Sequence, residues 1–439
     1  MELLHLTQFS RRHALSLAAG ATLAATLPCT ALAAQTPEDV LTNWYRLVLE
    51  LVRHTPTYSP PVASRAFAYL GVTAYEALAS GTAGLAPLSG QLTDLPTAPA
   101  RQTGAHDESA VLHAALASAV SRYFENTGPT GQRAMKAMAD RIKPTAPADV
   151  LARSTAHGQA IADHIWKWSQ SDGGAKVENL GFPYSYTPLP GNQNWVPTSK
   201  IILQQAPLLP GWGKNRPFAM PTPDAARIGP PPAYSEDPTS EFYKQAREVY
   251  DVSINPSEEH LALAYFWSDD AMLSYTPPGH WIVIAMAALA EQKAPAPHCA
   301  RVLALLGITV ADAFIACWQS KFEYNLVRPL TYINRFIDPK WTPLLITPPF
   351  PEYPSGHSTQ SGAAAAILTH LLGNNHAFTD DAQNADGLPA RSFTSFNQAA
   401  EEAAISRLYG GIHYRAAIEN GVAQGRQVAS FAAALNTES

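Results

Sequence analysis

Cysteine is scarce in this chain. Only 3 of the 439 residues are cysteine, and Cys299 and Cys317 are the pair that lies beyond the N-terminal segment. On one continuous helix, which rises about 1.5 Å per residue, these two residues would be roughly 30 Å apart, too far for a disulfide. The sequence therefore argues against a disulfide scaffold, and its 46% hydrophobic content predicts a large core instead.

Charge is also sparse. Charged residues make up 15% of the chain, and its net charge is −6 at pH 7, so there is no general basic field. This argues against nucleic acid or an anionic membrane surface as a partner. Beyond the N-terminus we expect no apolar run of about 18 uncharged residues, and hence no stable membrane insertion.

The N-terminus has the order of an export signal. Arg11 and Arg12 precede an apolar run from Ala14 to Leu27, and small residues follow it. This pattern predicts a twin-arginine signal over residues 1–34, cleaved near Ala33 or Ala34. The apolar run is too short for a stable membrane span. We therefore expect a periplasmic or secreted mature protein.

Hydrophobic residues recur at helical spacing through most of the chain, and strand-like alternation is nearly absent. Helices are predicted, among others, over 257–273, 298–318, 357–372 and 412–435. The pattern favours helices packed on helices, and so an all-α protein. We expect an N-terminal half over 35–235 and a C-terminal half over 236–439.

Prolines, glycines and aromatic residues dominate the segment 182–234. This composition is too aromatic for a disordered linker and predicts an ordered loop packed over or between the halves. Two interpretations are open: the loop helps to roof a site, or it covers the helices with no role in a site, which requires fewer assumptions. Residues 373–391 resemble a polar excursion.

Three separated patterns in the final third of the chain collect cations and histidines. They are Lys-x6-Arg-Pro, Pro-Ser-Gly-His and Ser-Arg-x5-His. The candidate site residues that they contribute are Lys321, Arg328, Ser355, Gly356, His357, Arg407 and His413.

These residue types suit the binding of one oxyanion. Three cations neutralise a multiply charged group, and the two guanidinium groups can bind its oxygens in pairs. A serine hydroxyl, a glycine amide and the start of a helix add further donors. One histidine can bond to the central atom while the other moves protons near neutral pH. Singly, each pattern has a plainer interpretation as solvated cations, a helix cap or a packed histidine, so the prediction rests on their combination.

In this order the three patterns resemble the signature of the vanadium-dependent haloperoxidase and type 2 phosphatidic-acid-phosphatase superfamily, which includes soluble bacterial acid phosphatases. The resemblance is most specific over 266–426. It implies two associated helical bundles and a vanadate cofactor bonded to His413, with His357 assisting proton transfer. It also implies that the vanadate oxygens are held by Lys321, Arg328, Ser355, Gly356 and Arg407.

Further residues resemble the haloperoxidase branch. Trp318 and Phe350 stand where aromatic residues line the halide side of the fungal chloroperoxidase site. Asp270 stands in a segment similar to the one whose carboxylate pairs with the last active-site arginine, here Arg407. The alternative is that the two aromatic residues belong to the core and that Asp270 caps a helix.

One position departs from the family pattern. The family usually has an acidic residue four positions after the last histidine, but Ala417 stands there in this chain. A backbone carbonyl could still fix the tautomer of His413. Without the acid we expect a less basic imidazole, which disfavours a covalent histidine intermediate.

The resemblance therefore leaves three functions open. The first is a haloperoxidase that uses hydrogen peroxide and a halide at vanadate, with Lys321 polarising the peroxide and an unspecified small organic acceptor. The second is a periplasmic acid phosphatase without vanadate, in which phosphate esters phosphorylate His413. The third is an exported oxyanion-binding protein, which the presence of two ordered histidines disfavours. Trp318, Phe350 and Ala417 favour the haloperoxidase.

Overall fold

The structure, a computed structural model, describes residues 35–177, 186–199 and 205–438. The predicted export signal lies outside these ranges, as do parts of the predicted covering loop. The N-terminal half contains α1 (Pro37–Arg53), α2 (Pro60–Ala79), α3 (Glu108–Tyr123), α4 (Pro129–Arg141), α5 (Ala148–Ser169) and the short α6 (Gly174–Val177).

The C-terminal half is likewise helical. Its helices are α7 (Glu241–Ile254), α8 (Glu258–Phe266), α9 (Thr276–Glu291), α10 (Ala296–Tyr324), α11 (Pro329–Phe336), α12 (Gly356–Leu372), α13 (Phe396–Tyr409) and α14 (Arg415–Ala433). A hairpin pairs β1 (Phe378–Asp380) with β2 (Arg391–Phe393), antiparallel; it begins inside the segment 373–391 predicted as a polar excursion and ends two residues beyond it. The all-α helical-bundle prediction is confirmed.

Local chemistry explains where several helices begin. Thr36 and Asp39 form a capping box at α1, in which each side chain accepts from the other's backbone N–H. Serine side chains cap α7, α8, α12 and α13. Helix α8 ends at Phe266, before the predicted end at 273, and Asp269, Met272 and Thr276 then have positive φ angles. Such left-handed residues cannot continue an α-helix.

Helix α10 forms the centre of the molecule and crosses α2 closely. A Cβ on Gly71 would lie 2.7 Å from the Ala304 Cα, and one on Gly307 would lie 2.9 Å from the Ala68 Cα. Helix α10 has 29 residues and is long and apolar enough to cross a membrane by length and composition alone. Asp312 lies near its middle, so the helix does not contain the run of about 18 uncharged apolar residues whose absence the sequence predicted. Its most apolar window is 89% buried, as in the core helix of a globular protein. Cys299 and Cys317 on this helix are free thiols.

Helices α12 and α14 cross even more closely. A Cβ on Gly425 would lie 2.0 Å from the Thr359 carbonyl oxygen, and one on Gly362 would lie 2.6 Å from that of Val422. Only hydrogen fits at these positions without moving the backbone. The crossing fixes the first turn of α12, which carries the Pro-Ser-Gly-His pattern.

The covering loop packs against residues that flank the predicted site. The Leu208 N–H donates to the Pro349 carbonyl at 2.8 Å, and the Trp195 N–H donates to that of Asn325 at 2.7 Å. Buried Asp312 on α10 accepts from the backbone N–H groups of Phe218, Ala219 and Met220. Burial raises the pKa of Asp312 to about 6, while these donors act in the opposite direction. The loop is therefore bound to the helix and the segments that carry site residues.

Residues near position 437 close the fold onto the N-terminal half. The Tyr75 hydroxyl donates to the Ala86 and Thr437 carbonyls at 2.6 and 3.1 Å. Leu85 and Glu438 form an isolated antiparallel bridge. The two halves are therefore joined at their periphery as well as through α2 and α10.

Candidate active site

The structure brings the seven predicted site residues to the junction of α10, α11, α12, α13 and the start of α14. Lys321 lies in the last turn of α10, Arg328 caps α11, and Arg407 lies in the last turn of α13. Ser355 caps α12, which begins with Gly356 and His357, and His413 precedes α14. All are buried except His357, which is partly exposed.

A buried carboxylate orients His413. Its Nδ1 lies 2.9 Å from Glu352 Oε1, which also accepts from the Tyr414 N–H at 2.9 Å. A carboxylate can only accept here, so Nδ1 carries the proton and Nε2 keeps its lone pair. Nε2 lies 3.1 Å from Arg328 Nη1. Burial, together with Arg328 and Lys321, holds the pKa of His413 well below its usual value, so the imidazole is neutral.

The low pKa of His413 agrees with the less basic imidazole expected from Ala417, but the ring does not lack an acidic partner. Ala417 is buried and its carbonyl accepts from the Ser355 N–H at 3.0 Å, but the missing acid is replaced by Glu352 from another segment. Burial raises the pKa of Glu352 to about 7, while Arg328 and the Tyr414 N–H oppose the rise. Glu352 is the only charged residue between Lys340 and His357, and that signal could have identified it.

Arg328 has an unused hydrogen-bond donor inside the site. Its Nε donates to the Phe350 carbonyl and its Nη1 to the Ile412 carbonyl, both at 2.9 Å. Its Nη2 is buried without a partner among the described residues. Burial lowers the pKa of Arg328 to about 10, with Glu352 opposing, so the group stays charged at neutral pH. A buried charged donor without a partner indicates a place for an anion.

Lys321 contacts the backbone that leads into Ser355. Its ammonium donates to the carbonyls of Pro351 and Glu352, both at 3.0 Å, and to that of Pro354. Burial lowers the pKa of Lys321 to about 7. The lysine thus holds the loop that carries Glu352 and Ser355, and its charge is sensitive to an anion nearby.

Arg407 and His357 form the other side of the site. Arg407 Nη1 lies 3.5 Å from His357 Nε2, and Nη2 donates to the Trp267 carbonyl at 2.7 Å and to the Ala264 carbonyl at 3.3 Å. Burial and Arg407 hold the pKa of His357 well below its usual value, although the Ser268 backbone raises it. The His357 imidazole is therefore neutral and able to accept a proton.

Asp270 does not pair with Arg407 in the part of the chain that the structure describes. No hydrogen bond or ion pair joins the two side chains, so the predicted direct contact is not formed. The charge of Arg407 still lowers the pKa of Asp270, although burial of its carboxyl raises that pKa more. The reason is that α8 ends at Phe266, and backbone carbonyls near that end take the guanidinium donors instead.

Ser355 and Gly356 place the start of α12 at the site. The Ser355 hydroxyl oxygen accepts from the Ser358 N–H at 3.3 Å and from the Ser358 hydroxyl at 2.8 Å. The Ser355 hydroxyl proton is therefore left for another acceptor. A Cβ on Gly356 would lie 3.6 Å from Trp318, an ordinary contact. The protein neighbours therefore do not themselves require glycine at this position.

Trp318 and Phe350 border the cations. Their ring centroids are 4.9 Å apart, and the Trp318 indole donates to the Leu208 carbonyl at 3.3 Å. Lys321 Nζ lies 5.1 Å and Arg328 Cζ 5.0 Å from the Phe350 ring centroid. Trp318 is buried in the core, and Phe350 is half-buried beside two cations, so a halide pocket at these residues stays a prediction.

The donor set fits a vanadate oxyanion. His413 offers a nitrogen lone pair of fixed tautomer, and Arg328 offers the unpartnered Nη2 beside it. Ser355 adds a hydroxyl, the start of α12 adds its positive dipole end, and Lys321 and Arg407 add charge. The same donors would hold phosphate.

Comparison with known proteins identifies the family. A family model described as the VCPO second helical-bundle domain matches residues 301–340 and 334–438. A vanadium chloroperoxidase from Curvularia inaequalis is 27% identical over 407 residues, an alignment that covers 76% of this chain and 66% of the fungal protein. The chain thus spans just under two thirds of that relative.

Comparison with solved structures identifies the same family. A crystal structure of a bacterial vanadium-dependent iodoperoxidase superposes with a TM-score of 0.82 and 38% identity, covering 93% of this chain and 98% of that chain. Apo and holo bacterial vanadium-dependent chloroperoxidases each superpose with a TM-score of 0.66 at 16% identity, covering 86% and 93% of this chain and 94% and 93% of theirs, which shows a shared fold.

Proposed function

The chain belongs to the vanadium-dependent haloperoxidase family of enzymes, and from that premise we propose that it oxidises a halide with hydrogen peroxide at a vanadate bonded to His413. One observation carries the assignment of the residue. Glu352 orients the His413 ring so that Nε2 accepts from Arg328 Nη1 at 3.1 Å, and Nη2 of the same guanidinium is buried without a partner among the described residues.

The reaction converts hydrogen peroxide, halide and a proton into hypohalous acid and water. The O–O bond breaks, one oxygen bonds to the halogen, and the other leaves as water, while the halide loses two electrons. When bound, vanadate supplies the Lewis-acidic centre that activates the peroxide. Arg328, Arg407 and Lys321 would neutralise its oxygens, and Lys321 would polarise the peroxide once one of its N–H groups turns from the backbone carbonyls to the bound anion.

His357 suits the proton steps. Its neutral imidazole can accept a proton from the incoming peroxide and return it to the oxygen that leaves as water. Arg407, 3.5 Å from its Nε2, fixes the ring beside the site and favours the neutral form. Partial exposure of His357 gives this proton a route to solvent.

Iodide is the halide that we propose. The structural relative of 38% identity is described as an iodoperoxidase, whereas the chloroperoxidases are 27% and 16% identical. Halide would approach beside Phe350, where two cations lie within 5.1 Å of the ring centroid. The oxidised halogen then passes to a small organic acceptor.

Phosphate-ester hydrolysis by the vanadate-free protein is a second candidate. Glu352 supplies the carboxylate that the Ala417 position lacks, and a carboxylate on Nδ1 makes Nε2 a better nucleophile. The negative charge of a bound phosphate ester would favour uptake of a proton by His357. His413 Nε2 would then bond to phosphorus as the P–O bond to the alcohol breaks, His357 would give its proton to the alcohol, and water would release phosphate.

One assay separates these functions. The chain without residues 1–34 would be loaded with orthovanadate and tested for peroxide consumption with iodide, bromide and chloride, beside hydrolysis of p-nitrophenyl phosphate. Vanadate-dependent iodide oxidation supports the first proposal, and hydrolysis only without vanadate supports the second. Tight vanadate binding with neither activity would leave an oxyanion-binding protein and overturn both.

We also propose export by the twin-arginine route, which rests on Arg11 and Arg12 ahead of the apolar run. Replacing both arginines with lysine should keep the precursor in the cytoplasm, because the receptor reads the paired guanidinium groups and not charge alone. Fractionation followed by immunoblotting measures this. Unchanged accumulation outside the cytoplasm would overturn the proposed route.

A further inference from the structure

Residues 267–269 contact Arg407 and His357, which form one side of the site. The Trp267 carbonyl accepts from Arg407 Nη2 at 2.7 Å, and the Ser268 backbone bonds to His357. Asp269 has a φ of 48°, in the left-handed region that residues other than glycine rarely adopt. Such a conformation persists only where surrounding contacts hold it.

A buried three-residue chain supplies one of those contacts. His280 on α9 bonds through Nδ1 to Asp269 at 2.9 and 3.1 Å and through Nε2 to Asp380 of β1 at 2.7 Å. All three side chains are at most 2% exposed. Gln383 adds a donor to Asp269 at 2.8 Å. Because both ring nitrogens face carboxylates, His280 is an imidazolium that donates in both directions.

The opposite strand of the same hairpin reaches the same segment. Arg391 on β2, the register partner of Asp380, binds Glu402 through Nε at 2.6 Å and Nη2 at 3.0 Å. Glu402 in turn accepts from the Trp267 indole at 3.0 Å. The Trp267 ring also stacks on His280, with centroids 4.7 Å apart. The two strands of the hairpin are therefore linked to the same segment by separate contacts. Strand β1 is linked to Asp269 through His280, and β2 is linked to Trp267 through Glu402.

We propose that the β1–β2 hairpin positions Arg407 and His357 for the reaction, acting through the Asp380–His280–Asp269 chain and through Glu402. The proposal rests on the proposed function and makes His280 a positioning residue, without contact to substrate. Burial would lower the pKa of His280, but Asp269 and Asp380 outweigh it and raise the pKa to about 10. His280 therefore stays protonated near neutral pH and is not a proton carrier in the reaction.

The test is the affinity of the folded protein for inorganic vanadate, measured by calorimetry. Asp380→Asn should weaken vanadate binding by about 10- to 100-fold, the usual effect of removing a group that orients a ligand. Gln383→Ala, a milder change to the same chain, should weaken it less and serves if Asp380→Asn does not fold. Glu76→Gln is the matched control, because Glu76 is a buried carboxylate that accepts two backbone N–H groups in the N-terminal half.

A double-mutant cycle distinguishes positioning from simple stabilisation. In an Arg407→Ala background, Asp380→Asn should cause no further loss of vanadate affinity, because the residue through which it acts is gone. Unchanged vanadate affinity in folded Asp380→Asn and Gln383→Ala, with only a lower melting temperature, would overturn the inference alone. A parent protein that binds no vanadate would overturn the proposed function and this inference together.

Discussion

Two buried histidines in the same half of the molecule differ in charge: His413 is neutral and His280 is protonated. His413 faces one carboxylate and lies near Arg328 and Lys321, and burial with these cations holds its pKa well below the usual value. His280 faces two carboxylates, which overcome burial and raise its pKa to about 10. The neighbours, and not the residue type, decide which imidazole is a base.

The difference separates a reactive group from a positioning group. His413 Nε2 is not bonded to a carboxylate; its lone pair accepts from Arg328 Nη1 at 3.1 Å, a contact that an incoming centre would replace. Both nitrogens of His280 are occupied by Asp269 and Asp380. A histidine with a carboxylate at one ring nitrogen can still bind a ligand through the other nitrogen. A histidine with carboxylates at both nitrogens is held as a protonated, structural group.

Removing the reactive histidine should have the largest effect. His413→Ala is expected to reduce vanadate binding below detection, because the side chain that supplies the bonded nitrogen is gone. Bound vanadium in the dialysed protein, measured by elemental analysis, checks this. His54→Ala, in an exposed residue at the end of α1, is the control. Parent-like vanadium content in His413→Ala would show that another group bonds to the metal.

A third histidine sharpens the comparison. His357 has no carboxylate partner within hydrogen-bonding distance among the described contacts, and His357→Ala should retain vanadate but lose turnover by about a hundred- to ten-thousand-fold, the usual worth of acid–base help. Iodide oxidation measured across pH, beside vanadium content, separates the two quantities. Full activity at every pH would remove His357 from the proton steps.

Glu352→Gln tests whether the negative charge of Glu352, the carboxylate bonded to His413, is needed at the site. The amide can still accept from Nδ1 but carries no charge, so we expect vanadate affinity or turnover to fall about 10- to 100-fold. Calorimetry and iodide oxidation measure the two effects. Glu76→Gln is again the matched control, and equal behaviour of the two variants would contradict an orienting role for Glu352.

Lys321 should report the arrival of the anion. Its pKa is lowered to about 7 by burial, so at pH values above this the free protein holds it largely uncharged. A bound oxyanion favours the ammonium, and binding should therefore take up as much as about one proton. Calorimetry in buffers of different ionisation enthalpy measures the uptake. Lys321→Arg stays charged and is the control; identical uptake in both proteins would exclude Lys321 as its source.

The smallest effect concerns stability. A raised folded-state pKa means that His280 stabilises the fold fully below its unfolded value of 6.5 and loses this contribution as pH rises through about 10. The slope is at most about 1.4 kcal/mol per pH unit. His280→Asn should therefore reduce the loss of stability across this window in urea unfolding. The lowered pKa of His413 has the opposite sign, since its contribution is lost as pH falls below 6.5.

Each predicted pattern is local, and the structure brings the seven residues of the three patterns to one junction. Ser355 marked the start of α12, whereas the helix predicted over 298–318 stopped short of Lys321, which lies in the last turn of α10. The sequence did not predict Glu352, because its contact with His413 joins residues 61 positions apart in a proline-rich segment without periodicity. An acid four positions after a histidine lies on the same face of a helix. In this protein tertiary packing brings the acid, Glu352, from a different segment.

The hairpin and the end of α8 were missed for a related reason. The strands β1 and β2 have three residues each, too few for alternation to show. Residues 267–273 retain helical spacing, but the contacts of Asp269 with His280 hold a left-handed backbone there. Local helix propensity favoured a longer α8, but the ionic contacts of Asp269 with His280 hold a non-helical backbone there.

The closure of residues 437 and 438 onto the N-terminal half bears on how the protein is made. Tyr75 and Thr437 are 362 positions apart, so the turn around Leu85 and Ala86 stays open on the ribosome until residue 437 has been translated. Loop closure over such a separation is slow. This contact consequently forms late in folding, and a chain cut short before residue 437 would lack the bonds to Tyr75 and Leu85.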